Sequence, residues 1–210
     1  MVGDHPAWSL NTSRTPTLKR AATMPPSKHS TFTKRPARIQ IFGYSGAGKS
    51  TLATTLGVLL SLPVLHLDNV QFYGDWQKRS TEEMNDITRK FLADNDKKGW
   101  IIDGNYSRVA TERFSQADLS IFLDFNRWFC LWSCVKRWWT WRGRARSSCP
   151  CSEKVDWKFV RWILWDGRGR QVQQKHLAHL AEGKGDKFVL TSRWEVDEFV
   201  DEVGKKMRYE

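Results

Sequence analysis

No stretch of this chain approaches the roughly 18 consecutive apolar residues of a membrane-spanning helix. The best candidate, Trp128–Val135, is far shorter and flanked by Arg127 and Lys136. Cysteine is scarce: four thiols, at Cys130, Cys134, Cys149 and Cys151, with Cys130 and Cys134 one helical turn apart. Nothing at the N-terminus resembles a secretory h-region, so free thiols in a reducing, cytoplasmic compartment are the simplest reading. Internal repeats are absent. Acidic residues run short in two places only. Residues 1–35 hold one acid against six bases, and residues 126–175 hold three against twelve. These segments carry +5 and +9 of a total formal charge of +11, so the rest of the chain is slightly negative. A nearly neutral body with two basic segments implies an anionic partner, such as nucleotide phosphates, nucleic acid or lipid.

What is present fits one α/β domain. At 210 residues the chain suffices for one sizeable core and not comfortably for two. Residues 1–36 are rich in Ser, Thr and Pro and aperiodic, and read as a disordered basic tail. A mitochondrial presequence is the minority alternative, because four prolines leave little room for an amphipathic helix. Residues 37–210 alternate strand-like and helical patterns. Strands are expected at Arg38–Gly43, Pro63–Leu67, Trp100–Asp103, Leu119–Phe125 and Lys187–Thr191. Helices are expected at Lys49–Leu60, from Ser80 (with Glu83, an S-x-x-E capping box) to about Asp96, and from Trp128 onward. One helix is expected over Asp156–Leu180, and a last one closes the chain. Strands separated by helices predict a parallel sheet covered on both faces.

Gly43-Tyr44-Ser45-Gly46-Ala47-Gly48-Lys49-Ser50-Thr51 fits G-x-x-x-x-G-K-[ST], between a buried strand and a helix. Glycines let the backbone wrap close enough for successive N–H groups to face phosphate oxygens. The helix N-terminus adds its positive end, Lys49 bridges the β- and γ-phosphates, and the Ser50 hydroxyl ligates Mg²⁺. The pattern therefore predicts ATP and Mg²⁺ as cofactors.

Three further features bear on the reaction. Asp103 ends a hydrophobic strand, where an acid would hold the metal's hydration shell; Gly104 follows it, where water-activating ATPases commonly place a Glu. Asp68, read at the end of the second strand, would hold metal waters or accept a proton from an acceptor hydroxyl, with a turn cap as the equal alternative. Arg142, Arg144 and Arg146, followed by Arg168 and Arg170, would close as a lid over the γ-phosphate, since the arginine fork grips phosphate oxygens in pairs.

Other features are given a plainer reading. Eight of the 12 tryptophans lie between Trp128 and Trp165. They would stack on bases, but the helical spacing of Trp128, Trp132 and Trp139 predicts core packing instead. The four cysteines have poor spacing for zinc. His176 and His179, one turn apart, read as surface or packing residues. Asp166-Gly-Arg-Gly169 matches the D-x-x-G of GTPases by chance, as no N-K-x-D follows.

From Ile39 to about Val203 the chain resembles the adenylate-kinase-like P-loop kinases, and more narrowly the small DNA topology modulation proteins. The markers are the Walker A loop, His66-Leu67-Asp68, Trp76–Arg79, IIDGNYSR at Ile101–Arg108, IFLDFNRW at Ile121–Trp128, WRGR at Trp141–Arg144, and Phe188–Arg193 with Glu195. The resemblance implies a P-loop NTPase three-layer fold, a five-stranded parallel sheet of order 2-3-1-4-5, and a lid at about 140–155. It implies that Asp103 serves the magnesium and that Asp68, Arg79, Tyr106 and Arg108 face the acceptor. Departures fall at Asn126, where FPRW is usual, and along Arg146–Cys151 of the lid. The expected function is transfer of the γ-phosphoryl group of ATP to a small acceptor, a nucleoside monophosphate first. Two alternatives stand beside it: a nucleic-acid-associated protein or kinase of polynucleotide ends, and a nucleotide-gated binding module with slow hydrolysis.

Overall fold

The structure, a computed structural model, describes residues 34–74, 77–141 and 155–209. Strand β1, Arg38–Gly43, is buried along nearly its whole length and forms the centre of a five-stranded sheet. On one side it pairs in parallel with β5, Trp100–Asp103, and β5 pairs with the edge strand β2, Val64–His66. On the other it pairs with β6, Leu119–Leu123, and β6 with β7, Asp186–Leu190. Counting only these five strands along the chain, the order is 2-3-1-4-5 and every pairing is parallel. A small antiparallel hairpin, β3 (Phe72–Gly74) with β4 (Gln77–Lys78), stands apart from it.

The sheet's pleat sorts its side chains into two cores. Ile101 packs with Leu52, Leu56 and Leu60 of helix α1, Lys49–Leu60. Its neighbours Trp100 and Ile102 face the other way, onto Leu67 and Val70 of α2 (Leu67–Gln71) and Met84 and Leu92 of α3 (Thr81–Asp94). Continuous apolar strands with helices on both faces are what a parallel sheet requires, since its crossovers cover it twice. One polar interruption is satisfied internally. Gln40 of β1 is fully buried and accepts from Arg113 Nε at 2.9 Å, Arg113 lying on the short helix α4, Glu112–Gln116.

Three expectations from the sequence are corrected. The second strand stops at His66, so Asp68 sits in the first turn of α2 rather than at a strand end. The helix expected over Asp156–Leu180 is two helices. α6 (Trp157–Leu164) ends in a 3-10 turn, Asp166–Arg168, before α7, Arg170–Glu182. Gly167 permits the break, since a Cβ there would meet the Trp162 ring at 2.8 Å. The chain closes, as expected, with a helix, α8, Arg193–Tyr209, which packs on α1.

The third correction concerns tryptophan. On α5, Arg127–Thr140, the buried residues are Cys130 and Cys134, while Trp128, Trp132 and Trp139 are 62%, 57% and 73% exposed. Gly46 explains why: a Cβ there would lie 2.4 Å from the Cys130 carbonyl oxygen. The helix backbone rests on the phosphate loop so closely that only thiols fit between, and the tryptophan stripe turns outward. Asn126, at the departure from FPRW, caps this helix by accepting from Trp128 N–H at 2.9 Å.

Candidate active site

The loop between β1 and α1 has the backbone that its glycines predict. Gly46 and Gly48 take φ of 82° and 92°, which a side chain would strain. Gly48 forms the N-cap of α1, so the helix opens with its free amides toward the loop. Ala47, fully buried, donates N–H to the Tyr44 carbonyl at 3.2 Å. Ser45, Gly46, Gly48, Lys49, Ser50 and Thr51 line a cleft of about 870 Å³. Lys49 Nζ donates to the carbonyls of Gly43 and Tyr44, both at 3.1 Å, and is held inside the loop. Burial lowers its pKa, while the charges of Asp68 and Asp103 act to raise it.

Asp103 is almost fully buried at the end of β5 and is addressed from two sides. Ser50 Oγ donates to Oδ2 at 2.8 Å, and His66 Nδ1 lies 2.5 Å from Oδ1. The register makes this contact, since β2 pairs His66 directly with Asp103. A hydroxyl and a carboxylate side by side are hard oxygen donors suited to Mg²⁺ rather than to zinc. Among the described residues no group of three or more His, Cys, Asp or Glu is placed to hold a metal unaided. Hence an ion here would need oxygens from phosphate and water as well. Cys130 and Cys134 are free thiols packed beneath the loop, and burial pushes the Cys130 thiol up.

The opposite wall carries Asp68, Gln71 and Tyr106. Tyr106 OH lies 2.5 Å from Asp68 Oδ1 and 2.6 Å from Gln71 Oε1. A phenol has one proton, so it donates to one and accepts from the other; the carboxylate can only accept, which turns the Gln71 amide N–H toward the phenol oxygen. Tyr106 is held through its backbone too, its carbonyl accepting from Arg113 Nη2 at 3.0 Å.

Several expected residues are placed elsewhere. Arg79 does not line the cleft. Its Nη1 donates to the carbonyls of Asn69, Val70 and Phe72, and its guanidinium stacks 4.0 Å over the Tyr73 ring, fastening the end of α2. Arg108 is exposed and also outside the lining. Arg168 lies 4.0 Å over the Tyr44 ring with Nε donating to the Ile163 carbonyl, so it buttresses the loop from beneath. Arg142, Arg144 and Arg146, with Cys149, Cys151 and Trp76, lie outside the described residues.

Sequence reasoning missed six contributors. Asn105 clamps Gly43, its Nδ2 donating to the carbonyl at 2.7 Å and its Oδ1 accepting the amide at 2.9 Å. His66 braces Asp103, and Gln71 braces Tyr106. Lys136, Arg137 and Arg193 add cationic side chains to the cleft. The strand-end position of His66 was a usable signal; Asn105 had only its place after Asp103-Gly104.

No protein-family model and no curated protein matches the chain. Solved structures that superpose on it include shikimate kinase from Bacteroides thetaiotaomicron, at 16% identity and TM-score 0.46, covering 82% of this chain and 99% of that one. A gluconokinase from Sinorhizobium meliloti superposes at 13% identity and TM-score 0.42, covering 84% and 94%. Deoxyadenosine kinase from M. mycoides gives 14% and 0.44, covering 81% and 98%. Likeness at this level carries no argument about activity. The α/β class rests on the chain's own strand order, and the phosphate loop on its own geometry.

Proposed function

We propose that this protein is an ATP-dependent phosphotransferase that moves the γ-phosphoryl group to a small acceptor, with a nucleoside monophosphate the leading candidate. One observation carries the reading: the phosphate loop with Lys49, Ser50 and Asp103 shares a single cleft with the wall of Asp68, Gln71 and Tyr106. Loop amides and Lys49 would hold the β- and γ-phosphates, while Lys136, Arg137 and Arg193 neutralise the charge spreading over the transferred group. Ser50 and Asp103 would hold Mg²⁺, which supplies charge neutralisation at the phosphates when bound.

An acceptor oxygen at the Asp68–Tyr106 wall attacks the γ-phosphorus. The bond from that phosphorus to the β,γ-bridging oxygen breaks, and ADP leaves with the bond's electrons. Where the acceptor is a hydroxyl, Asp68 takes its proton; where it is a phosphate, no proton need move. Gly104, following Asp103, leaves no carboxylate there to activate water, which supports transfer over hydrolysis.

Lys49→Ala tests the nucleotide half of the proposal. Expected is a loss of ATP affinity together with at least a hundredfold fall in turnover, on the order of 3 kcal/mol of phosphate stabilisation. ATP binding and turnover that both survive the substitution would refute the assignment.

A further inference from the structure

The outward face of α5 is occupied by neither the core nor the phosphate loop. Trp128, Trp132, Val135 and Trp139 follow one another at i, i+4, i+7 and i+11, a single stripe about 16 Å long at 1.5 Å per residue. Trp141 and three tryptophans on and just after α6 are exposed beside it. Among the described residues of α5 and α6, no Leu, Ile, Phe or Met is a large exposed side chain; the one aliphatic is Val135. Cations are interleaved with the rings. Arg127 opens the helix, Lys136 Nζ sits 5.1 Å over the Trp132 ring, and α5 contains no acidic residue. Residues 126–175 carry +9 in all. Trp132, Lys136 and Trp141 belong at once to this face and to the phosphate cleft.

Three occupants are chemically distinct. A lipid surface takes helices that lower Leu and Phe side chains toward the acyl region, and this face offers flat aromatic rings with cations among them instead. A second copy of the chain would bring another strongly basic face against the first, and the charges oppose that. A single-stranded polynucleotide matches both components, because every base has a π-face to stack and every linkage a phosphate to neutralise. We infer that the tryptophan stripe of α5 is a binding face for single-stranded nucleic acid, with bases stacked on Trp128, Trp132 and Trp139 and the backbone phosphates held by Arg127 and Lys136.

Binding needs no ATP, so it is measured apart from any phosphoryl transfer. The full chain is titrated into a fluorescently labelled oligothymidylate of about 16 nucleotides, following anisotropy and tryptophan quenching. Expected is binding that quenches tryptophan emission and weakens roughly sevenfold between about 50 and 200 mM salt, the dependence of about two phosphate contacts on a single strand. Trp128→Ala and Trp139→Ala, both at exposed positions outside the cleft, should each weaken binding about fivefold or more. Trp194→Ala, equally exposed but on α8, should leave it unchanged. Circular dichroism confirms that the variants fold.

The inference is overturned if no binding is seen at about 50 mM salt. It is overturned as well by affinity that both α5 variants retain, which would move the contact to the basic N-terminal segment. Preference for phosphatidylserine vesicles over the oligonucleotide, or a dimer that dissociates on Trp128→Ala while the oligonucleotide stays unbound, would equally remove it.

Discussion

Burial lowers the pKa of Lys49, and the charges of Asp68 and Asp103 oppose that shift. A γ-phosphate would add a third anion beside the same amine, acting in the same direction as the two carboxylates. His176 shows the same competition without a partner. It is wedged among Phe42, Tyr44 and Phe122, and burial, with the nearby charges of Lys49 and His179, pushes its pKa down to about 4. The unfolded chain then binds a proton that the folded one refuses, from about pH 6.5 down to about pH 4. Stability attributable to this side chain is full above that window and falls through it by ~2–3 kcal/mol. In His176→Leu the urea midpoint should fall less between pH 7 and about pH 5 than in the wild type; equal acid slopes would contradict the account. At this scale the sequence revealed residues whose chemistry is local. Lys49 and Ser50 sit in an eight-residue pattern, and Asp103 is marked by its strand. His66, Asn105 and Gln71 act on partners 37, 62 and 35 residues away, so their roles depend on strand register and on the turns that follow it. Arg79 was misplaced for the converse reason. A composition suited to phosphate does not reveal that three carbonyls at the end of α2 already claim the guanidinium.

Helix α3 begins at Ser80 with both halves of a capping box. Ser80 Oγ accepts from Glu83 N–H at 3.2 Å, and Glu83 Oε2 accepts from Ser80 N–H at 3.0 Å. Glu83 also accepts from Tyr73 OH, so the cap fastens the β3–β4 hairpin beside the acceptor wall. Ser80→Ala should cost ~1 kcal/mol, seen as a melting temperature lower by about 2–4 °C. An unchanged melting temperature would show that the box contributes nothing. This cap was readable because its four residues are consecutive. All five sheet strands were readable as apolar runs between turn signals, although β2 is shorter than its apolar stretch. The short elements outside the sheet were not: α2, α4 and the hairpin are fixed by tertiary packing, too short to carry a period. The outward turn of α5 was misread because tryptophan and cysteine share one helical periodicity. Which of two stripes faces inward is decided by the closeness of the loop at Gly46.

Over the whole molecule, topology makes the site. The order 2-3-1-4-5 places the carboxyl ends of β1, β2 and β5 side by side, which brings the phosphate loop, His66 and Asp103 together from distant parts of the chain. Placing ligands at the carboxyl edge of a parallel sheet follows from helix N-termini and open strand ends converging there. The five-stranded order came from family resemblance, and alternation of strands and helices alone would have left it open. Among the described residues no helix is long and apolar enough to cross a membrane, so the exposed aromatic surface lies on elements that do not span one. The most direct measurement is transfer of label from γ-labelled ATP with Mg²⁺ to a panel of nucleoside monophosphates, small hydroxylated metabolites and 5′-hydroxyl oligonucleotides. The account predicts a labelled acceptor with the wild type and none with Lys49→Ala. Label that appears only as inorganic phosphate, or stays on ATP that is bound but never turned over with any acceptor, would contradict it.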